Sequence, residues 1–341
     1  MPIKTDVLII GAGPVGLFQV FELGLLDIKA HVIDALPQVG GQCAELYPEK
    51  PIYDIPACPE IGAQELIDKL LLQIAPFNAA FHLKQMVTSV DRQEDSRFLV
   101  KTSKNNQFDC AAIIIAAGLG PFQPRRLRIP DADQYEGSQI NYKVGDKSAY
   151  AGKNLAILGG GDSALDWVLE LAETTAHISL IHRREEYRAQ PASVKKMQAL
   201  VAEGKVTEYH GNVAAVEITD NKLSALDVRC NKGDQKSVAA DSVLVFWGLS
   251  PNLGPIADWG LEIERRQLPV DTEKFQTSEA GIFAVGDINT YPGKKKLILS
   301  GFHEAALAAF AIKSYLEPGK RVNLQYTTTS SLMHERLGLK K

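Results

Sequence analysis

Residues 6–16 read Asp6-Val-Leu-Ile-Ile-Gly-Ala-Gly-Pro-Val-Gly16. The apolar, β-branched run at 7–10 predicts a buried strand, and the glycines after it match the G-x-G-x-x-G dinucleotide fingerprint. Gly11 permits a tight turn, Gly13 lets a pyrophosphate approach the backbone, and Gly16 lets the following helix pack closely on the sheet. This segment therefore predicts a turn that binds the phosphates of a dinucleotide at a helix N-terminus.

The sequence after this turn supplies the context that the fingerprint requires. A helical pattern covers 17–26, and a second apolar run at 30–33 is followed by Asp34. The carboxylate of Asp34 falls where a ribose hydroxyl needs an acceptor. The alternative, a glycine turn that binds nothing, remains open at this point.

A second copy of the pattern begins near the middle of the chain. An apolar run at 155–158 leads into Gly159-Gly-Gly-Asp-Ser-Ala164, and a helical pattern and another apolar run, at 178–181, follow it. The glycine segment is G-x-G-x-x-A, a variant of the same fingerprint. The residues expected to face this second dinucleotide are Gly159, Gly161, Asp162 and Ser163.

The two copies differ at the position after the second strand. In register, His182 falls opposite Asp34. Arg183 and Arg184 follow, and Arg188 lies one turn further on. An acid favours a free ribose 2′-hydroxyl, whereas a basic cluster favours a 2′-phosphate that arginine can bind bidentately. The first copy is therefore expected to hold the ADP part of FAD or NAD, and the second to hold NADPH. A solvated strand end is the alternative for the basic cluster.

The composition excludes several classes of function. At 341 residues the chain is long enough for two domains, and its net charge of −4 argues against a general nucleic-acid binder. Its four cysteines form no C-x-x-C pair and its seven histidines show no metal-ligand spacing, so we expect no metal site. No apolar run is long enough to span a bilayer, and we expect a cytoplasmic protein in a reducing compartment.

Three further positions are candidates for a ligand site. The adjacent glycines Gly40 and Gly41 suggest a second close backbone approach to a ligand. Tyr47, in a proline-rich loop, is a candidate to stack on a flat cofactor ring, although such loops are commonly rigid surface structure. Asp287 follows an apolar run that starts at Gly281 and is a candidate acceptor for flavin ribityl hydroxyls. The alternative for Asp287 is a turn aspartate after a core strand.

Taken together and in this order, these motifs resemble those of the thioredoxin reductases, a family of flavoproteins with two dinucleotide-binding domains. Besides the two glycine units and the basic cluster, the resemblance includes Gly41-Gln42, the strand exit Ala117-Gly118 and Gly286-Asp287. It extends over nearly the whole chain. It implies a bound FAD, NADPH as the electron donor, and an FAD domain interrupted by the NADPH domain.

The sequence departs from the thioredoxin reductases at their redox-active C-x-x-C. The corresponding stretch, Tyr142-Lys-Val-Gly-Asp146, has no cysteine. Electrons therefore cannot pass to a protein disulfide there by thiol exchange. The chain is instead similar to the ferredoxin/flavodoxin–NADP+ reductases of the thioredoxin-reductase type. The stretches that carry this similarity are residues 46–50, Tyr53-Asp54, 135–137, 252–255 and 325–331.

The resemblance implies an α/β fold with two Rossmann-like dinucleotide-binding domains. The expected boundaries are 1–119 and 249–325 for the two parts of the FAD domain, 120–248 for the NADPH domain, and 326–341 for a C-terminal tail that covers the flavin. Within the NADPH domain, short strand-like runs at 206–210, 213–218 and 225–231 predict a meander.

The resemblance also implies roles for single residues. Tyr47 is implied to stack on one face of the isoalloxazine, and Tyr326, from the partner subunit of a homodimer, to cover the other face. Thr327 is implied to lie near flavin N5. The other residues implied to contact FAD are Gly11, Gly13, Pro14, Gly16, Asp34, Gly41, Gln42, Val87, Phe122, Asp287 and Thr328. The residues expected to contact NADP(H) are Gly159, Gly161, Asp162, Ser163, His182, Arg183, Arg184 and Arg188.

The implied activity is that of a ferredoxin–NADP+ reductase. Such an enzyme transfers a hydride from NADPH to flavin N5 and releases single electrons to ferredoxin or flavodoxin. An acidic carrier would dock on exposed positive charges, for which the candidates are Arg125, Arg126, Arg128, Lys294, Lys295 and Lys296. Scattered solvated charges are the alternative explanation of this set.

Two other classes of function stay open from the sequence. One is an NADPH-dependent quinone or free-flavin reductase, and the other is a non-enzymatic protein that binds NADPH or FAD as a signal. Neither a nucleic acid nor a membrane is an expected partner.

Overall fold

Two units make up the computed structural model, one formed by residues 1–122 and 251–341 and the other by residues 123–250. We call the first the outer unit and the second the inserted unit. The structure describes residues 1–118, 120, 123–250 and 252–339.

The strands are, in chain order, β1 (Ile3–Ile10), β2 (Ala30–Ile33), β3 (Pro51–Ile52), β4 (Ile61–Gly62), β5 (Ala80–His82), β6 (Val87–Arg92), β7 (Phe98–Thr102), β8 (Gln107–Ile115), β9 (Gln123–Pro124), β10 (Ile140–Asn141), β11 (Asn154–Leu158), β12 (His177–His182), β13 (Val206–Thr219), β14 (Lys222–Cys230), β15 (Gln235–Ala239), β16 (Ser242–Val245), β17 (Leu249–Ser250), β18 (Leu268–Pro269), β19 (Ile282–Ala284) and β20 (Asn289–Thr290). The α-helices are α1 (Pro14–Leu25), α2 (Gly41–Leu46), α3 (Ala63–Ile74), α4 (Asp162–Leu171), α5 (Pro191–Ala202), α6 (Ile298–Leu316) and α7 (Ser331–Arg336). Short 3₁₀ turns cover Ala75–Phe77, Ala132–Tyr135, Lys147–Tyr150, Gly254–Asp258 and Gly286–Ile288.

The outer unit is built on a seven-stranded sheet of order β5-β2-β1-β8-β7-β6, with β19 beside β8. Strands β5, β2, β1, β8 and β19 run parallel, whereas β6, β7 and β8 pair antiparallel. Residues from Val7 to Ile10 are buried because apolar side chains cover both faces of the sheet. Helices α1, α3 and α6 supply one of these two layers. Such two-sided covering explains why residues 7–10 of β1 form a continuous apolar run.

The parallel strands of the outer unit end at the same edge of the sheet, and the loops that follow them begin there. Ile10, at the end of β1, pairs with Ile33 on β2 and with Ile115 on β8, and Ala284 on β19 also pairs with Ile115. The loops that follow these strand ends therefore start side by side. Ligands of open α/β sheets bind at such carboxyl ends.

The inserted unit repeats this plan with a seven-stranded sheet of order β10-β16-β11-β12-β13-β14-β15. The first five strands in this order, β10, β16, β11, β12 and β13, are parallel to one another. Strands β14 and β15 continue the sheet and pair antiparallel. Helices α4 and α5 pack on one face of the sheet through apolar side chains such as Val168 and Met197. The two sheets confirm the predicted α/β fold of two Rossmann-like units.

One predicted element differs from the structure. The runs at 206–210 and 213–218 predict separate strands, but Val206–Thr219 is a single strand. Residues 206–210 of β13 pair parallel with β12, and residues 211–219 pair antiparallel with β14, with a register shift between Val213 and Ala215 inside the second pairing. The strand therefore spans both the parallel and the antiparallel part of the sheet, and the irregularity at Val213 shifts its register without ending it.

The C-terminal tail packs against α1. The Arg336 guanidinium donates a hydrogen bond to the carbonyl oxygen of Leu25 and lies 3.6 Å from the carboxylate of Asp27. Met333, on α7, is buried. Because α1 has 12 residues, this contact lies about 18 Å along the helix from the first glycine turn.

Candidate functional site

The first glycine turn closes onto its neighbours at two positions. Gly11 has a φ of +113°, and a Cβ there would lie 2.4 Å from the carbonyl oxygen of Ala116. A Cβ at Gly16 would lie 2.0 Å from the carbonyl oxygen of Gly11. Neither position can accept a side chain without moving the backbone. Gly11 also donates its N–H to the Ile33 carbonyl oxygen at 2.8 Å, which fixes the turn against β2.

The turn stays open at Gly13, where a Cβ would meet only the Cα of Gly41, at 3.9 Å. Gly40 donates its N–H to the carbonyl oxygen of Ala12 at 2.8 Å, which brings the second glycine pair onto the turn. Helix α1 begins at the next residue, Pro14, with no side-chain cap on its N-terminus. Free helix N–H groups beside an open glycine backbone fit a pyrophosphate.

Asp34 ties the end of β2 to the glycine turn. Its Oδ2 accepts the N–H of Ala12 at 2.6 Å, and its Oδ1 accepts the N–H of Leu36 at 2.8 Å. Burial raises the pKa of this carboxyl, and the two hydrogen bonds act in the opposite direction. Each carboxylate oxygen keeps a lone pair beyond these bonds, so Asp34 can still accept from a ribose hydroxyl.

Two other predicted positions lie near this edge. The N–H of Gln85 donates to the carbonyl oxygen of Asp34 at 3.1 Å, and Val87, two residues later, is buried at the start of β6. The amide Nε2 of Gln42 lies 3.6 Å from where a Gly118 Cβ would stand. The backbone of 85–87 and the Gln42 side chain therefore border two of the strand exits.

Tyr47 lies at the end of α2 and is partly buried against the core. Burial raises the pKa of its phenol, and the neighbouring Cys43 and the carboxylate of Asp287 raise it further. Tyr47 therefore stays neutral at physiological pH.

A buried ion pair that sequence reasoning missed supports the turn at Asp287. The fully buried carboxylate of Glu304, on α6, accepts the N–H of Gly286 at 2.7 Å and pairs with the ammonium group of Lys294. Lys294 also donates to the Gly286 carbonyl oxygen at 2.9 Å. Burial raises the pKa of Asp287, while the positive charges of Lys294 and Lys296 lower it. A lone acid in an alanine-rich helix gave no sequence signal for this role.

The ion pair corrects one sequence prediction. The side chain of Lys294 is only 6% exposed, so it cannot belong to an exposed docking surface for a carrier. Arg126 is exposed but its guanidinium is already paired with Glu136 at 2.9 Å. Arg125, Arg128, Lys295 and Lys296 remain exposed.

The single chain does not bring the tail residues to the glycine turn through any described hydrogen bond. Tyr326 is 68% exposed, and Thr327 and Thr328 are exposed as well. The hydrogen bonds of this segment stay within the tail, where His334 contacts the carbonyl oxygen of Thr327 at 2.7 Å. Phe122, another predicted contact of FAD, lies outside the described residues.

The second glycine turn, in the inserted unit, resembles the first: one glycine leaves no room for a Cβ, and another has free space beside its backbone. A Cβ at Gly159 would lie 2.7 Å from the carbonyl oxygen of Phe246, so this position is closed. A Cβ at Gly161 would meet nothing within 4 Å. Helix α4 begins at Asp162 directly after it. The open backbone and the helix N-terminus again fit a pyrophosphate.

A cleft of about 500 Å³ opens beside this turn. The predicted residues that line it are Gly159, Gly161, Asp162, Ser163, His182, Arg183, Arg184 and Arg188. The guanidinium groups of Arg183, Arg184 and Arg188 make no hydrogen bond or ion pair with any other residue that the structure describes. Cationic groups without partners in a cleft of this volume fit an anionic ligand.

His182 has a different part in this cluster. A Cβ at Gly160 would lie 2.4 Å from the His182 ring, so the imidazole packs directly on the glycine turn. The ring also stacks on Tyr187, with centroids 5.3 Å apart. Burial lowers the pKa of His182, and the charges of Arg183 and Arg184 lower it further. The positive charge of the cleft at neutral pH therefore comes from the arginines.

A family model of pyridine nucleotide-disulphide oxidoreductases matches residues 5–309. The chain belongs to this family. The match spans both glycine turns and the Gly286-Asp287 segment, and it confirms the resemblance on which the sequence analysis relied.

Relatives of this oxidoreductase carry a more specific name. Ferredoxin–NADP reductase 2 of Cupriavidus metallidurans is 56% identical over 338 residues, which cover 99% of this chain and 92% of that protein. Ferredoxin–NADP reductase of Methylibium petroleiphilum is 57% identical over 342 residues, covering 99% and 93%. Among solved structures, thioredoxin reductase of Lactococcus lactis is 25% identical, with a TM-score of 0.77 over 92% of this chain and 99% of that one.

The cysteines of this oxidoreductase are all free thiols, and Cys43 and Cys110 are buried. In the stretch that lacks a C-x-x-C, the Tyr142 hydroxyl donates to Glu136 at 2.5 Å and accepts the N–H of Leu127 at 3.0 Å. Within the described part of the chain, no group of three or more histidine, cysteine or acidic residues is arranged to hold a metal ion. In the same part, no helix is long and apolar enough to cross a membrane.

Proposed function

We propose that this protein is an FAD-dependent ferredoxin–NADP reductase, which moves electrons between NADPH and a one-electron protein carrier. The observation that carries the proposal is the contrast between two glycine turns of the same geometry. The strand end beside the turn carries Asp34 in the outer unit, but Arg183 and Arg184 in the inserted unit. The names of the relatives support ferredoxin as the carrier.

The outer unit is the proposed FAD domain. Its open backbone at Gly13 would accept the pyrophosphate, and Asp34 would accept from the adenosine ribose. The neutral ring of Tyr47 suits stacking on the isoalloxazine, and Asp287, in the turn after β19, would accept from the ribityl hydroxyls. Bound FAD would supply the exchange between two-electron and one-electron transfer. The protein's own part is to bind, orient and shield it.

The inserted unit is the proposed NADP(H) domain. The pyrophosphate would approach the open backbone at Gly161 and the N-terminus of α4. The guanidiniums of Arg183, Arg184 and Arg188, which have no polar partner among the described residues, would bind the 2′-phosphate, since arginine matches phosphate geometry bidentately. His182 would contribute its packing on the glycine turn rather than charge.

The tail and the carrier surface complete the proposal. Because α7 is anchored at the far end of α1 and Tyr326 is exposed, we propose that Tyr326 covers the flavin of a second copy in a homodimer. Thr327 and Thr328 would accompany it.

The carrier would dock on exposed cations drawn from Arg125, Arg128, Lys295 and Lys296. Flavodoxin is an alternative carrier to ferredoxin.

An anaerobic titration tests the activity. The purified protein should be yellow, bleach on addition of NADPH, and reduce cytochrome c only when ferredoxin is also present. Bleaching without turnover on ferredoxin or flavodoxin would contradict the carrier and favour a quinone or free-flavin reductase. A yellow protein that NADPH does not bleach would contradict the enzyme and favour a binding protein.

A further inference from the structure

The arginines of the cleft lie on an irregular segment, residues 183–190, between β12 and α5. A segment of this kind has no helix or strand ladder to fix its backbone, so other contacts must hold it. Their guanidiniums make no hydrogen bond or ion pair with other described residues that could hold them instead. Their directions therefore depend on how the backbone of 183–190 is fastened.

One side of the segment is fastened to the second glycine turn. The N–H of Arg188 donates to the carbonyl oxygen of Gly160 at 2.8 Å. The N–H of Gln190 donates to the Oδ1 of Asp162 at 2.9 Å. These bonds hold the C-terminal part of the segment and leave the two leading arginines to other contacts.

The leading arginines are fastened to the β13–β14 hairpin by two side chains. The Nδ1 of His210, on β13, lies 3.0 Å from the carbonyl oxygen of Arg184. The amide Nδ2 of Asn231, just after β14, donates to the carbonyl oxygen of Arg183 at 3.0 Å. Asn231 also donates its N–H to the carbonyl oxygen of His210 at 2.8 Å. One rigid element thus holds two successive carbonyl groups.

We propose that His210 and Asn231 are positioning residues that give the inserted unit its preference for a 2′-phosphate, an inference that rests on the proposed NADP(H) site. Their side-chain N–H groups donate to the backbone carbonyl oxygens of Arg183 and Arg184 and not to the ligand. They therefore act by fixing the backbone positions from which the two arginine side chains extend. A fixed backbone lowers the conformational entropy that is lost when the arginines bind a phosphate. A ligand that lacks the 2′-phosphate makes no use of these arginines and gains nothing from the fastening.

Two substitutions of His210 separate the effect of its hydrogen-bond donor from the effect of its ring. A carbonyl oxygen only accepts, so the Nδ1 of His210 must carry the proton that donates to Arg184. The side-chain nitrogen of asparagine can stand where Nδ1 stands, so His210→Asn keeps the donor while removing the ring. His210→Leu removes the donor and keeps an apolar side chain. Asn231→Leu tests the second fastening independently.

The experiment measures dissociation constants for NADP+ and NAD+ on the FAD-loaded, full-length protein by isothermal titration calorimetry. We expect His210→Leu and Asn231→Leu to weaken NADP+ binding about fivefold each, the effect of one lost hydrogen bond, with NAD+ binding unchanged. His210→Asn should bind NADP+ as the wild type does. His177→Leu is the matched control, since it removes a histidine hydrogen bond to Thr207 that joins β12 to β13 outside the cleft.

The outcomes separate the inference from the function on which it rests. A wild-type protein without a preference for NADP+ would overturn the proposed NADP(H) site and the inference with it. A wild-type preference that survives in both leucine variants would overturn the inference alone. Equal weakening of NADP+ and NAD+ would also overturn it, because that pattern indicates general loss of structure. If one leucine variant does not fold, the other decides.

Discussion

The carboxylate of Asp34 accepts the N–H of Ala12 at 2.6 Å, although 22 positions separate the two residues. This bond joins the residue proposed to hold the ribose to the turn proposed to hold the phosphates. We expect Asp34→Asn to weaken FAD binding about 10- to 100-fold, because it replaces a charged acceptor with a neutral amide. The flavin-to-protein ratio after gel filtration measures the effect.

The control for Asp34 is Glu262→Gln, which neutralises an exposed carboxylate of the same unit. It should retain its flavin. Full flavin content in Asp34→Asn would contradict the assignment of Asp34 to the FAD site.

The open position at Gly161 allows a substitution that adds bulk only in the cleft. A Cβ at Gly161 meets nothing within 4 Å, so Gly161→Ala should fold with little change in melting temperature. The added methyl would keep a pyrophosphate off the backbone, and we expect NADP+ binding to weaken about tenfold or more. Gly145→Ala is the matched control, since its Cβ also meets nothing within 4 Å. Equal NADP+ affinity in the two variants would contradict the site.

The ion pair between Lys294 and Glu304 predicts a stability effect. Lys294→Met leaves the fully buried carboxylate of Glu304 without its cationic partner, and we expect a loss of about 3–5 kcal/mol in the free energy of unfolding. Urea denaturation measures it. Lys295→Met removes an exposed neighbouring charge and should change stability by less than about 0.5 kcal/mol. The same small effect in both variants would mean that the pair does not support the Gly286 turn.

Glu22, on α1, predicts a pH dependence. Burial raises its pKa from 4.5 to about 7. The folded chain therefore holds more protons on Glu22 than the unfolded chain between pH 4.5 and about 7, and the free energy of unfolding falls as the pH rises through this window. Glu22→Gln should accordingly stabilise the protein at pH 8 by up to about 3 kcal/mol, and have little effect below pH 4.5.

Thermal melts of the wild type and Glu22→Gln at several pH values test this expectation. The exposed Glu60 provides the control Glu60→Gln, whose melting temperature should follow the wild type at every pH. A stabilisation of Glu22→Gln that is the same at low and high pH would rule out an ionisable group as its cause.

The exposed ring of Tyr326 predicts an effect on reactivity rather than on folding. A chain that ends after Gln325 should oxidise NADPH with oxygen faster than the full chain, because a flavin face would lose its cover. A chain that ends after Leu337 keeps α7 and serves as the control. Equal rates of NADPH oxidation in all three chains would remove the role given to the tail.

Sequence patterns were sufficient to predict the strand, the glycine turn and the helix at the start of the chain, which depend on local backbone geometry. Close packing on the carbonyl oxygen of Gly11 requires a glycine at position 16, and this constraint acts within a few residues. The same holds for Asp34, which sits at a fixed distance from the turn along the chain. Patterns of this kind predict a site because the geometry repeats wherever the motif occurs.

Long-range partners could not be predicted in the same way. Nothing local to Glu304 indicates that its carboxylate meets the N–H of Gly286, 18 positions earlier. Lys294 looked like an exposed cation in a run of lysines, and only the fold reveals its burial. The contact of His210 with the carbonyl oxygen of Arg184 likewise depends on the pairing of β13 with β12, which brings His210 beside His182. These contacts depend on which elements are neighbours in three dimensions.

Strands β9 and β17 join the two chain ends of the inserted unit by pairing Gln123 with Ser250 and Pro124 with Leu249. Once the inserted unit has folded, the outer unit has only a short gap to close between its two parts. Replacing a disordered loop of residues 123–250 by such a gap saves about 3 kcal/mol of closure entropy. We therefore expect an order of folding in which the inserted unit forms while residues 251–341 are still being synthesised, and the first part of the chain to be synthesised completes its sheet last.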